Sequence, residues 1–173
     1  MSSDSEPAPH LQCTVLTAGP GDVNRAYSDL NRDMDPRFVH VFLDKLQRYA
    51  AKPDRALFLA EYQQKIIAFA TIIDHSPVPD DSGSGTAEML KDHACGTGLM
   101  VMPEFRRRGV ATALVQQWEH WARENHRHGV WLVTRRMADW YQRCFSFSSH
   151  EIIIRHGVQK TILLKTFPLP TAP

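Results

Sequence analysis

The chain has 173 residues and a mass of 19.7 kDa, enough for one domain with a real core and no need of disulfide staples. Apolar residues make up 43% and charged residues 23%, and 20 Lys and Arg against 19 Asp and Glu leave a net charge of +1, so bulk charge points to neither nucleic acid nor a membrane surface. No apolar run approaches the roughly 18 residues of a membrane helix, and the opening residues lack a cationic start and apolar core, so a cytoplasmic domain is expected.

Cys13, Cys95 and Cys144 are far apart and form no CxxC pair, which suggests neither a disulfide framework nor a structural zinc site. His120, His126 and His128 crowd one region without the spacing of a closed ligand set, and no metal is expected. Charge is uneven along the chain. Residues 1–103 carry 9 basic and 14 acidic residues, net −5, whereas 104–173 carry 11 and 5, net +6. That asymmetry suits a protein in which one half holds an anionic cofactor and the other faces a cationic substrate.

Residues 1–9, rich in Ser, Pro and acid, are expected to be a flexible segment, with a single domain over 10–168 and a tail at 169–173. Leu11–Ala18 alternates well enough to predict a first strand. Gly19-Pro20-Gly21 breaks it, and the Asp22 carboxylate suits the orphan amides of a following helix. A second helix is predicted over Pro36–Ala51, with Phe38, Val41, Phe42, Leu46 and Tyr49 as its apolar stripe. Lys52-Pro53-Asp54 stops it. Strands Ala56–Tyr62 and Lys65–His75 then read as a hairpin about Gln63-Gln64. Ser76–Gly85 is loop chemistry throughout, and a polar loop this long in a compact domain is mobile or functional.

Cys95–Met102 predicts the next strand, ended by Pro103. A helix over Val110–Asn125 places Val110, Leu114, Trp118 and Trp121 on one face. Val130–Thr134 lacks alternation and predicts a strand buried on both sides. Met137–Phe145 is a short helix, and His150–Arg155 and Val158–Phe167 form a last hairpin about His156-Gly157. The element order predicts a mixed α/β sheet.

The most specific segment is Leu99–Ala111, a strand followed by the basic loop Glu104-Phe105-Arg106-Arg107-Arg108-Gly109 and a helix start. Unpaired amides at such a start point outward at the positive end of the helix dipole and cradle phosphate. Gly109 lets the backbone turn closely around the anion, Ala111 keeps the helix start uncrowded, and Arg106, Arg107 and Arg108 add charge. The segment is neither a Walker loop nor a dinucleotide GxGxxG.

Arg106–Ala111 resembles the Q/R-x-x-G-x-G/A acetyl-CoA signature of the GNAT acetyltransferase superfamily, with Ala for the last Gly. Val101-Met102-Pro103-Glu104-Phe105 resembles the family's V-x-P-x-[YF], and Met137–Tyr141 is similar to the start of its A-x-x-[LF]-Y-x-x-x-G-F element. The resemblance implies a mostly antiparallel sheet of about seven strands flanked by about four helices, and acetyl-CoA as co-substrate. It implies that the strand near Met100, Val101 and Met102 pairs with the pantetheine arm. The amides from Arg107 through Gly109, Val110 and Ala111 to Thr112 would hold the pyrophosphate, and Tyr141 would protonate the departing thiolate. One departure stands out: the family Gly follows the Tyr by four residues, whereas Ser146-Phe147 comes one step later here. Either the stretch carries an extra residue or the Gly is lost.

The family often places a base on the fourth strand, where Cys95, Thr97 and Gly98 cannot serve. Alternation puts His93 on the face of Cys95 and Thr97, so His93 is the candidate base, with Glu88, Asp92 and the Asp74-His75 pair behind it. The expected function is N-acetyl transfer to a small-molecule primary amine by direct attack in a ternary complex, by a monomer or homodimer. The alternatives are a protein or peptide acetyltransferase and a non-catalytic CoA-binding module.

Overall fold

The computed structural model describes residues 10–33, 39–50 and 52–168. The expected N-terminal segment and C-terminal tail, and the predicted helix start at Pro36–Phe38, lie outside the described residues. Seven strands form one sheet in the order β1-β2-β3-β4-β5-β7-β6: β1 Thr14–Thr17, β2 Arg55–Tyr62, β3 Lys65–Ile73, β4 Ala94–Val101, β5 Gly129–Thr134, β6 Ser148–Arg155 and β7 Val158–Thr166. Five helices are described: α1 Val23–Leu30, α2 Val39–Tyr49, α3 Thr86–Leu90, α4 Val110–Glu124 and α5 Ala138–Phe145. The count of strands is as expected, and the fifth helix is α3, a short one that begins directly after the Ser76–Gly85 stretch read as loop.

The middle of the sheet follows from its sequence. In β2 and β3 (RALFLAEY and KIIAFATII) the central residues are buried on both faces, which is why they read as continuous apolar runs. Their turn puts Gln63 and Gln64 at φ 49° and 63°, the left-handed pair whose twist matches that of a two-residue hairpin. One face packs on α4 through Val110, Leu114, Val115, Trp118 and Ala122. Trp118 is 1% exposed, and truncating it to Ala would cost about 3–5 kcal/mol. The opposite face packs on α1 and α2 through Val23, Ala26, Leu30, Phe42 and Leu46. Val41, expected in the α2 stripe, is 60% exposed; the buried stripe runs Phe42, Leu46, Ala50 at spacings of four. Asp22 also differs from expectation: its carboxylate accepts from the Gly19 amide, 2.9 Å away, and closes the turn before α1.

All neighbouring strands are antiparallel except β4 and β5, which run parallel and pair only at Ala94–Gly96 with Val130–Leu132. Beyond Gly96, β4 continues against β3 alone. At that point β4 carries an extra residue: Thr71 pairs with Gly98 and Ile72 with Gly96, so Thr97 is bulged. At the other end the joint is tied by Arg127, whose Nη2 donates to Asp74 Oδ2 at 2.6 Å, and by the His128 amide donating to the Asp92 carbonyl at 2.8 Å.

Candidate active site

The splay between β4 and β5 opens a cavity in two connected parts. The larger part, about 490 Å³, runs from the start of α4 along β4 and is lined by Met100, Val101, Arg106, Arg107, Gly109, Ala111 and Thr112, with Trp140 and Tyr141 opposite. The smaller, about 220 Å³, lies in the crack itself between Thr97–Leu99 and Leu132–Thr134. Leu99, Met137 and Tyr141 line both.

The loop before α4 brings cationic side chains and unpartnered amides together. Arg107 and Gly109 take left-handed backbone at φ 59° and 84°. Helix α4 starts at Val110, and the Ala113 amide donates to the Gly109 carbonyl at 3.1 Å, which leaves the amides of the first turn ahead of it without intrahelical partners. Fifteen residues of aligned peptide dipoles add positive potential there. Arg106 Nε donates to the Val101 carbonyl at 3.0 Å and so anchors the loop to the end of β4. Gly109 has a second constraint: a Cβ there would stand 2.5 Å from His10 Nδ1. The close approach at this glycine is therefore to the His10 ring as well as to whatever fills the loop.

Three of the ten residues assigned to the cofactor do not line the cavity. Val110 is 1% exposed in the α4 core, and Met102 is 3% exposed on the α1–α2 side, its amide donating to the Ile67 carbonyl at 2.9 Å. Arg108 turns its carbonyl to the Leu11 amide at 2.9 Å. For Met102 the bulge is the cause: after Thr97 the alternation of β4 shifts phase, so Leu99 and Val101 face α4 whereas Met100 and Met102 face α2.

Tyr141 sits among Trp140, Phe145 and Phe147, with ring centroids 4.8, 6.1 and 5.6 Å away. Burial in this aromatic nest pushes its hydroxyl up to about 12, so it stays protonated at any working pH. Ser146 takes the left-handed cap after α5 at φ 59° and ψ 32°, a conformation that Gly holds at least cost, and Phe147 follows into the core. Ser146-Phe147 therefore stands where the resemblance has Gly-Phe, and α5 holds one more residue between Tyr141 and the cap.

His93 is placed elsewhere. It is 7% exposed in a pocket with Leu90, Val78 and His75, its Nε2 is 3.4 Å from Thr166 Oγ1, and its ring stands edge-on to His128 at 6.4 Å. Burial, then the neighbouring His128, holds it below the ordinary imidazole range. Asp74 is paired with Arg127, and Glu88 with Lys91 on the surface. Among the described residues, none of these groups lines the cavity beside Tyr141, and its lining includes no carboxylate and no imidazole.

Sequence reasoning missed the polar cluster on the α2 side of the bulge. The Thr97 hydroxyl donates to the Tyr49 phenol oxygen at 2.8 Å and shares a hydrogen bond with Thr71 Oγ1 at 3.0 Å. Lys45 Nζ donates to the Thr97 carbonyl at 2.8 Å, and a Cβ at Gly98 would fall 2.6 Å from that ammonium. Burial, then Arg48, lowers the Lys45 pKa. Only the pairing of α2 with β4 reveals this group, because its members lie at 45, 49, 71 and 97. No group of three or more potential metal ligands occurs among the described residues, and no described helix is long and apolar enough to cross a membrane.

A family model described as the acetyltransferase (GNAT) family matches residues 23–147. Streptothricin acetyltransferase A of Bacillus subtilis (strain 168) is 34% identical over 70 residues, and the match spans 40% of this chain and 38% of that protein. The solved structure of an aminoglycoside 6'-N-acetyltransferase complexed with coenzyme A superposes with a TM-score of 0.70 at 11% identity, covering 91% of this chain and 99% of that one. Arabidopsis thaliana NAA60 in complex with acetyl-CoA gives 0.61 at 15% identity, covering 90% and 100%. At these identities the two structures share the fold.

Proposed function

The chain belongs to the acetyltransferase (GNAT) family, and from that premise we propose that it moves the acetyl group of acetyl-CoA onto the primary amine of a small molecule by direct attack in a ternary complex. The observation that carries this reading is the continuous cavity from the basic start of α4 to the Tyr141 hydroxyl. In this reading Arg106, Arg107 and the α4 amides hold the diphosphate. The β4 edge beyond Gly96, left without a β5 partner, receives the pantetheine arm and brings the thioester into the crack beside Thr97–Leu99.

An amine entering from the α2 face attacks the thioester carbon. The oxygen gains negative charge, and an amide of the bulged β4 backbone stabilises it. Collapse expels the CoA thiolate, Tyr141 gives it a proton, the cationic nitrogen of the new amide releases its proton to water, and Tyr141 recovers one from water. Burial pushes the Tyr141 hydroxyl up to about 12, so the phenol still carries its proton when the thiolate leaves. Without a carboxylate or imidazole in the lining, the amine loses its proton to water at the mouth, and the rate follows the amine's own titration. His93 has no part in this reading. A thiol-release assay with acetyl-CoA and a panel of amines tests it: saturable binding of acetyl-CoA with no amine-dependent release of CoA would leave a binding module instead.

A further inference from the structure

We propose that the acceptor amine also carries an anionic group, a carboxylate or phosphate, held in a basic pocket beyond β5; this inference rests on the acetyl-transfer reading and names its substrate class. A cavity of about 550 Å³ lies on the α2 side of the sheet, over the end of β5 and the β6–β7 hairpin. Its floor is apolar, built from Val133, Ile153, Val158 and the buried Pro79. Its rim is cationic: Arg135, Arg155 and Lys160, with His156 at the turn. Among the described residues no carboxylate lines it.

The register explains the cluster. Ile153 pairs with Lys160 and Arg155 with Val158, and Val133 pairs with Ile162 two residues on from Lys160. Side chains two apart share a face, so Arg135, Arg155 and Lys160 all project to the face that Val133, Ile153 and Ile162 bury. Among the described residues no carboxylate pairs with any of the three. Three cations over a low-dielectric floor focus a positive potential into the pocket.

The pocket adjoins the reaction crack, because Val133 lines both. A molecule with its anion at the rim can therefore reach past Val133 with its amine toward Thr97 and Tyr141. Lys45, at the Thr97 carbonyl, adds a further positive charge on the same face. The arrangement disfavours a polycation and reverses the cationic substrate expected from the charge asymmetry of the chain.

Matched pairs test this on the whole protein with saturating acetyl-CoA: 4-aminobutyrate against its amide, phosphoethanolamine against ethanolamine, and an aminoglycoside as polycation. The anionic member of at least one pair should show a kcat/KM about tenfold or more above its neutral partner. Which pair discriminates more separates carboxylate from phosphate. Arg155→Gln and Lys160→Gln should each reduce that preference, mainly through KM, while the affinity for acetyl-CoA and the melting temperature stay at wild-type values. Equal turnover within both pairs, or preference for the aminoglycoside, overturns the inference. If no amine is acetylated the transfer reading itself fails, and calorimetry with N-acetyl-4-aminobutyrate and its amide then decides the pocket. Binding of the carboxylate that Arg155→Gln abolishes sustains it, and equal or absent binding overturns it.

Discussion

The Thr97 hydroxyl donates to the Tyr49 phenol oxygen at 2.8 Å and ties the bulge of β4 to the last turn of α2. The bond fixes the bulged residue of β4, which is skipped in the pairing with β3, at the point where β4 leaves β5. Thr97→Val keeps the shape and removes the donor. We expect a loss of about 1–3 kcal/mol of stability, since the bonds to Tyr49 and Thr71 both go, and a fall in turnover larger than that in acetyl-CoA affinity. Denaturant melts and steady-state kinetics check the two halves.

Tyr141→Phe retains the aromatic nest and deletes one hydroxyl. Acetyl-CoA should bind nearly as before, while turnover falls by roughly a hundred- to ten-thousand-fold, the range of a lost general acid. Turnover within a few-fold of wild type would place the proton donor elsewhere. Because the hydroxyl is pushed up to about 12, the wild-type rate should show no decline from Tyr ionisation below pH 10.

At Gly109 the expectation combines strain with crowding. An L-residue at φ 84° costs about 1–2 kcal/mol, and its Cβ would run into the His10 ring. Gly109→Val should lower both the melting temperature and the affinity for acetyl-CoA. Adding His10→Ala should relieve the steric share and leave the backbone share, which thermal melts of the single and double variants can read.

Ser146 offers the reverse change. Replacing it by Gly removes the left-handed penalty but adds unfolded-state entropy, for a net gain of about 0.5–1 kcal/mol. Chemical denaturation reads this directly. A loss of stability would mean that the Ser146 side chain holds the cap.

His93 carries a pH signature. Its imidazole is held below the ordinary range in the fold, so below about pH 6.5 the unfolded chain binds the proton more readily than the folded one. Its contribution is present above that value and is lost as pH falls toward the folded pKa. Melting temperature should drop between pH 7 and 5 in wild type, and less so in His93→Gln.

Much of the fold was legible because its signals are local. The apolar runs of β2 and β3, the stripe of α4 and the basic loop at its start each sit within one stretch of chain. The site was legible only as far as one strand and one loop carry it. Alternation gave His93 a face but not a position along the strand: it precedes β4, at the end where Asp92 meets His128 and away from the crack, whereas the bulge at Thr97 shifted the phase only of the residues after it and divided the Met100–Met102 stretch between two faces. The Lys45–Thr97 cluster and the Arg135, Arg155 and Lys160 rim come from α2, β4, β5 and the β6–β7 hairpin. Their proximity is set by strand order and register, which no spacing in the sequence records.

The three-residue seam between β4 and β5 has a mechanical consequence. Two plates, β1 to β4 and β5 to β6, are latched at one end by Arg127 on Asp74 and by His128 on Asp92, and are parted at the other. A joint pinned at one end pivots there, and displacement grows with distance from the pin. A small rotation at Asp74 therefore becomes the largest change of width between Val101 and Thr134, the jaws of the crack. A variant that loosens the latch, such as Arg127→Ala, is therefore expected to change the width of the crack without changing any residue that lines it.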